Sequence, residues 1–155
     1  MEILNKSWII NIVSNSKKTV SFDTSSNAVK IEDLDVTYPW EFEKSGILLE
    51  VKEYNEILFY SFTIDSKHLV IISNDEFEMK EEIMSFFGDV DVLIITWTKK
   101  WAEIFENIEA RVVIPYWPTK QIFLSTLGQN EPELDTYKVK GDMLDDVSEF
   151  VNLAE

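Results

Sequence analysis

The sequence predicts an α/β fold whose N-terminal half is rich in strands and whose C-terminal half alternates strands with helices. In the first half, β-branched and aromatic residues form short runs separated by polar, turn-forming residues. From His68 onward, continuous apolar runs are separated by segments in which hydrophobic residues recur at helical spacing. Such an alternation implies parallel strands joined by helical crossovers.

Six strands are predicted before residue 65, at 8–13, 19–22, 29–31, 35–37, 46–52 and 57–64. The first two flank a Ser-Asn-Ser turn and the last two flank Tyr-Asn-Glu, so each pair is expected to form a hairpin. Within the sixth strand, Leu58, Tyr60, Phe62 and Ile64 share one face because side chains alternate along a strand. That face is expected to point into a core.

The C-terminal half is predicted to contain three strands buried on both faces, at 68–72, 90–95 and 111–114. Helices are predicted over 77–87, 101–108 and 119–127, with Gly88 and Gly128 as stops and Thr119 as an N-cap. Closing strands are predicted at 134–139 and 149–153. No linker or low-complexity segment interrupts the chain, so residues 1–155 are predicted to form a single domain.

Composition excludes several classes of function. The chain has one histidine, His68, and no cysteine, which argues against chemistry based on several histidines or on thiolates. The formal net charge is −15 and the lysines are scattered, so binding to nucleic acid or to an anionic membrane is not expected. Neither a secretory signal nor a membrane-spanning run is recognisable, and a cytoplasmic location is predicted.

No strong catalytic motif is present. The four glycines lie far apart, so a phosphate-binding loop is not expected. A Ser-His-Asp triad would have to use His68, which we interpret as a surface or strand-edge histidine. Three carboxylate clusters are interpreted as solvated faces in this acidic chain: Glu41 with Glu43, Asp89 with Asp91, and Asp142 with Asp145 and Asp146.

Several segments follow one another in a familiar order. Pro39-Trp40-Glu41-Phe42-Glu43-Lys44-Ser45-Gly46 is similar to Pro-Gly-Glu-Tyr-Glu-x-x-Gly, and residues 88–93 read Gly-Asp-Val-Asp-Val-Leu. Residues 112–117, Val-Val-Ile-Pro-Tyr-Trp, are similar to an element that ends Val-Ile-Pro-Met-His. Together with an opening hairpin at 7–23, these motifs resemble a short, zinc-dependent-hydrolase-like branch of the metallo-β-lactamase superfamily. The resemblance implies a shortened metallo-β-lactamase-like sandwich.

The departures from the family pattern concern its metal site. The hallmark His-x-His-x-Asp-His loop is missing, because no histidine lies between residues 23 and 39. The later His-Leu-Gly-Asp of the family falls on Ile72-Ser73-Asn74-Asp75, with Asp75 as the bridging carboxylate, although a shift by one residue would place Asn74 there. The last family histidine falls on Trp117, and Trp97 ends a strand where the family has glycines. Asn74, Asp75, Trp97 and Trp117 are therefore candidates for a vestigial site. Zinc is expected for the family, but its ligands are absent and no cofactor is expected.

Two tryptophans stand where the family has glycine. Trp40 replaces a glycine of the first motif, and Trp97 replaces a glycine pair. A large ring is a poor exchange for glycine in a tight turn. We therefore hypothesise that some tryptophans correspond to codons that the source organism reads as glycine, an idea that UGG codons at both positions would contradict.

The functional prediction is a non-catalytic protein that binds a ligand or partner, or that associates with itself. Loss of the histidine loop leaves the sandwich thin on one side, so a homo-oligomer is expected. The alternative is a divergent hydrolase that uses carboxylates around Asp75 with a hard cation. A third possibility is a degenerate subunit that supports an active homologue. An enzymatic role is less favoured than a binding role.

Overall fold

The computed structural model describes residues 1–74, 77–96, 99–143 and 147–155, which form two β-sheets and three short helices. Elements are numbered along the chain. The first sheet consists of β1 (Glu2–Lys6), β2 (Ile9–Val13), β3 (Thr19–Asp23), β4 (Val29–Ile31), β5 (Leu34–Val36) and β12 (Tyr137–Lys138). Its order is β12-β1-β2-β3-β4-β5, and every neighbouring pair is antiparallel. The sheet is therefore a meander completed at one edge by a strand from far along the chain.

The second sheet is mixed. It consists of β6 (Glu41–Lys44), β7 (Ile47–Tyr54), β8 (Ile57–Ile64), β9 (Lys67–Ile72), β10 (Val92–Ile95), β11 (Val112–Pro115) and β13 (Glu149–Phe150). Its order is β13-β11-β10-β9-β8-β7-β6. The strands from β6 to β9 pair antiparallel, whereas β9, β10, β11 and β13 pair in parallel.

The helices are α1 (Glu81–Phe87), α2 (Trp101–Asn107) and α3 (Lys120–Thr126). Two of them cross between parallel strands, α1 from β9 to β10 and α2 from β10 to β11. Gly88 ends α1 with a left-handed φ of 60° and donates its N–H to the carbonyl of Met84. Thr119 occupies the N-cap position of α3, but its side chain makes no capping hydrogen bond. Over the described part of the chain, no helix has the length and apolar character needed to cross a membrane.

A hydrophobic core fills the space between the two sheets. The first sheet contributes side chains such as Ile10 and Phe22, and the second contributes Phe62, Leu69 and Ile94. Strict alternation along each strand places these residues on the inward face. The layer between the sheets is thus the larger of two buried clusters.

A second core lies on the other face of the second sheet. Val70 and Ile72 of β9 face this cluster, while their neighbours on the same strand face the first core. Ile83, Ile104 and Phe123, one from each helix, cover it. The structure confirms that three predicted strands are buried on both faces, at 68–72, 90–95 and 111–114. Their ends are shifted by one or two residues. Strands and helices form three layers: first sheet, second sheet, helices.

Some elements differ from prediction. The strand β1 was missed because Glu2, Asn5 and Lys6 make its sequence polar, although Ile3 is fully buried. The helix α1 begins at Glu81 rather than near Phe77, and Phe86 instead of Met84 joins its buried face. The predicted closing strands shorten to two residues each and enter different sheets, so the strand–helix alternation does not continue beyond α3 in the described residues.

The hairpin between β1 and β2 turns through two residues with left-handed φ angles, Ser7 at 54° and Trp8 at 68°. Such angles favour glycine or asparagine over a residue with a large side chain. Among the described residues, Trp40 has no left-handed φ, and Trp97 lies outside them. The glycine hypothesis therefore stays a prediction, since left-handed φ angles also occur at other non-glycine residues such as Lys17 and Glu56.

The first prediction concerns the core between the two sheets. Phe62→Ala removes a ring that is fully buried between the two sheets and should lower the free energy of unfolding by about 3–5 kcal/mol. Thr63→Ala, one residue along on the opposite face of the sheet and with an exposed side chain, should change it by less than about 0.5 kcal/mol. Urea denaturation of both variants measures the difference, and equal effects would contradict this assignment of the two faces.

Candidate functional site

The parallel strands β9, β10 and β11 end together at one edge of the second sheet. Ligands of α/β proteins commonly bind beyond the carboxyl ends of such strands. Ser73 and Asn74 follow β9, Thr96 follows β10, and Tyr116 follows β11. This edge is therefore the place to look for a site, and it is where the family resemblance locates its metal centre.

Hydroxyl groups converge at this edge. The Oγ1 atoms of Thr96 and Thr119 lie 3.3 Å apart, and the side chain of Thr96 also hydrogen-bonds the hydroxyl of Tyr116. Tyr116 is buried, and its ring meets Phe22 edge-to-face at 5.4 Å. Burial raises the pKa of Tyr116 well above its ordinary value, although the bond to Thr96 acts in the opposite direction. Tyr116 is thus a neutral phenol at physiological pH and no candidate for a base.

Two indole rings lie next to this edge of the second sheet. The rings of Trp8 and Trp117 lie 4.8 Å apart at an interplanar angle of 50°. Their exposed fractions are 42% and 43%. The hydroxyl of Thr24 donates to the carbonyl of Trp8 at 2.8 Å and holds the β1–β2 turn in place. The N-terminal hairpin therefore reaches the strand ends through an aromatic contact.

A buried lysine lies below these rings. Lys120, the first residue of α3, donates from Nζ to the carbonyl of Leu153 at 2.8 Å. Its Nζ also lies 3.4 Å from a carboxylate oxygen of Glu133 and 3.5 Å from one of Glu155. Asn5 lines the same cleft, and its Oδ1 is buried without a hydrogen-bond partner in the described chain. The lysine charge is balanced locally, so Lys120 ties the last residues of the chain to α3.

The single histidine lies at the other end of β9. His68 Nε2 is 2.5 Å from the hydroxyl of Ser61 on β8, and Nδ1 is 2.5 Å from the backbone carbonyl of Asp89. Because a carbonyl only accepts, Nδ1 carries the proton and Nε2 accepts from Ser61. The third group is a main-chain carbonyl and not a carboxylate, so these residues do not form a Ser-His-Asp triad. Sequence analysis interpreted His68 as a surface or strand-edge histidine; in the structure it is half-buried near the start of β9, which lies between β8 and β10.

Asp89 and Asp91 are held in an ion-paired cluster beside His68. Arg111 Nη1 lies 3.2 Å from Asp89 and 3.3 Å from Asp91. The other oxygen of Asp91 accepts the backbone N–H of His68 at 2.8 Å. Sequence analysis treated the two aspartates as a solvated face and missed both Arg111 and Ser61, because only the strand register brings them together.

The family-motif segment lies far from the strand ends. Glu41 and Glu43 belong to β6, which β7 and β8 separate from β9. Gly46 follows Ser45 in the turn to β7, with φ angles of 77° and 57° that suit glycine at this position. Pro39 and Trp40 precede β6, and the Trp40 side chain is exposed. The structure therefore does not bring this segment to the candidate site.

Two of the four vestigial-site candidates, Asp75 and Trp97, lie outside the described residues, as do Asp145 and Asp146. The described ones, Asn74 and Trp117, follow neighbouring parallel strands of the second sheet, β9 and β11. Across the described ranges, no three His, Cys, Asp or Glu side chains are grouped so that they could hold a metal ion. Hydroxyls and an indole, which is a donor only, do not fit zinc.

The ion-paired cluster generates the second prediction. Asp91→Ala leaves the His68 N–H without its acceptor in a half-buried setting and should lower the free energy of unfolding by about 1–3 kcal/mol. Asp89→Ala is the matched control, because the Asp89 side chain is largely exposed, and it should cost less than about 1 kcal/mol. Thermal and urea unfolding compare the two, and a larger loss in the Asp89 variant would refute the ranking.

The sequence matches no family model, and no curated protein matches it. Among solved structures, the fold is similar to the crystal structure, at 2.00 Å resolution, of a proposed zinc-dependent hydrolase of the metallo-β-lactamase superfamily from Thermotoga maritima. The two chains superpose with a TM-score of 0.72 over 97% of each, at 14% sequence identity. The chain thus has a strand-rich, metallo-β-lactamase-like fold with one antiparallel sheet, one mixed sheet and few helices.

Proposed function

We propose that this chain is a non-catalytic protein of the metallo-β-lactamase fold that binds a partner or a small ligand. One observation carries the proposal. At the carboxyl ends of β9, β10 and β11, the described side chains include hydroxyls that hydrogen-bond to one another and two indole rings in tilted contact. This is a surface suited to contact and hydrogen bonding rather than to activating water.

The chemistry of zinc hydrolysis explains why this composition favours binding. A catalytic zinc needs three protein ligands drawn from imidazole, carboxylate or thiolate, plus an open position for water. The chain has no cysteine, and its one histidine is hydrogen-bonded to Ser61 and Asp89 at the opposite end of β9. A metal at the strand ends would therefore have to be held by oxygen ligands, with carboxylates as the charged ones.

The alternative is a divergent hydrolase that uses Asp75 and a hard cation. The likeness of the fold to a proposed zinc-dependent hydrolase favours it. Its supporting residue lies outside the described part of the chain, and Asn74 is the described neighbour that would accompany it. Both hypotheses place the site at the carboxyl ends of β9, β10 and β11, so one test of metal binding and hydrolysis distinguishes them.

The third prediction is that the protein neither retains metal nor hydrolyses esters. Protein incubated with Zn²⁺ or Mn²⁺ and then desalted should carry far less than one equivalent of metal by elemental analysis. It should not hydrolyse bis(p-nitrophenyl) phosphate or a simple lactone, and Asp75→Asn should behave like the parent chain. Stoichiometric metal, together with turnover that Asp75→Asn abolishes, would replace the proposal by the hydrolase alternative.

We further propose that the chain forms a homo-oligomer through the outer face of the first sheet. In the described residues, the three helices cover only the second sheet, so this face has no helical layer. Ile9 is one of its exposed apolar side chains, at 37%. A cytoplasmic location is the setting in which we expect this assembly.

The fourth prediction is self-association that a charge on this face weakens. Light scattering over a concentration series should show a mass above that of one chain, and Ile9→Lys should return it toward the monomer. Ile122→Lys, at an isoleucine on α3 that is more exposed than Ile9, is the control and should not change the mass. A monomer at every concentration would contradict the proposed oligomer.

A further inference from the structure

The strand β6 is the outermost strand of the second sheet. Its inner side pairs with β7 from Glu41 opposite Glu50 to Lys44 opposite Ile47. Within the described ranges, no strand pairs with its outer side. An open edge of this kind presents unpaired N–H and C=O groups and is a template for another strand.

The register identifies which main-chain groups are open. The N–H of Val51 donates to the carbonyl of Trp40 at 2.9 Å, so these two residues form a hydrogen-bonded pair. Hydrogen-bonded and non-hydrogen-bonded pairs alternate in antiparallel strands. Glu41, opposite Glu50, and Glu43, two residues further along, therefore direct their N–H and C=O groups away from β7. The open positions of the edge are these two glutamates.

The same two residues carry the negative charge of β6, whose third charged residue, Lys44, forms an ion pair with Asp33. Glu41 and Glu43 are exposed, and their side chains share one face of β6 because they are two residues apart. A groove of about 510 Å³ continues from them across that face, over the half-exposed Leu48 and on to Ser61 and Thr63. A strand added to this edge would lie beside the carboxylates of Glu41 and Glu43. The aliphatic part of a Lys or Arg side chain on that strand could reach Leu48.

A second copy of this chain is a poor occupant of the edge. Glu41 and Glu43 direct their N–H and C=O groups outward, so each can pair only with a residue of the added strand whose N–H and C=O groups face β6. Side chains directly opposite in such a pair lie on the same face and contact each other. Self-pairing centred on Glu41, Phe42 or Glu43 places glutamate opposite glutamate in each case. Like charges directly opposite destabilise a pair, and the edge thus disfavours its own copy.

We propose that β6 is a docking edge for an extended segment of another protein that carries Lys or Arg at positions i and i+2. The segment adds as a further antiparallel strand, pairs its backbone with Glu41 and Glu43, and sets its basic side chains opposite their carboxylates. Strand addition supplies affinity through the main chain, and the alternating charge supplies selectivity. This inference rests on the proposed binding role and names the class of partner.

The fifth prediction concerns a labelled synthetic peptide in which lysine alternates with valine or threonine. Fluorescence anisotropy should show binding to the full chain that weakens as salt rises. A peptide with glutamate in place of lysine should not bind, and the Glu41→Lys, Glu43→Lys double variant should reverse this preference. Hydrogen exchange should show the amides of Glu41 and Glu43 becoming protected when the peptide is bound.

Two variants separate main-chain pairing from simple charge attraction. Glu43→Gln keeps the outward N–H, whereas Glu43→Pro removes it without removing a β6–β7 hydrogen bond. Binding should weaken by roughly threefold in the first and by about tenfold or more in the second. Glu56→Gln, in the exposed β7–β8 turn, is the charge-matched control and should bind like the parent chain.

The outcomes are distinct. Equal weakening by Glu56→Gln and Glu43→Gln, with no protection at Glu41 and Glu43, would mean diffuse attraction to an acidic chain and would overturn the docking edge. Absence of peptide binding would also overturn it, and would leave the non-catalytic role intact. That role fails only if the chain binds metal and turns over an ester.

Discussion

Burial of β9, β10 and β11 on both faces is the constraint on which the rest of the structure depends. Alternate residues of each strand point to opposite cores, so each strand requires a layer of side chains above and below it. The first sheet supplies one layer and the three helices supply the other. The same parallel arrangement brings three strand ends to one edge, where Thr96 and Tyr116 meet.

The two polar groupings of the molecule lie at opposite ends of these strands. At the amino ends, His68, Asp91 and Arg111 join β8, β9 and the segments before β10 and β11 through hydrogen bonds and ion pairs. At the carboxyl ends, the described groups are uncharged hydroxyls and indoles beside the neutralised Lys120. Among the described residues, ion pairs and hydrogen bonds of His68, Asp91 and Arg111 thus join the strands at their amino ends, whereas hydroxyl and indole contacts predominate at their carboxyl ends.

The sequence analysis could predict what depends on local pattern. The strand around Val70 and Ile72 was recognisable because an unbroken apolar run requires cover on both faces, and the strand at 57–64 because Leu58, Tyr60, Phe62 and Ile64 alternate with other residues. By contrast, β1 is polar in sequence, and its pairing with β2 on one side and with β12, more than 130 residues away, on the other is not visible in the local pattern. The contact of Ser61 with His68 likewise needs the β8–β9 register, which spacing alone does not define.

The route of the last 20 residues has a consequence for synthesis. The strand β12 completes the first sheet beside β1, whereas β13 extends the second sheet beside β11. During translation, the N-terminal meander emerges from the ribosome well before residues 137–138 exist. Throughout that interval the outer side of β1 is an open edge, so the nascent chain displays main-chain groups of Glu2 and Ile3 that pairing with β12 covers in the folded protein.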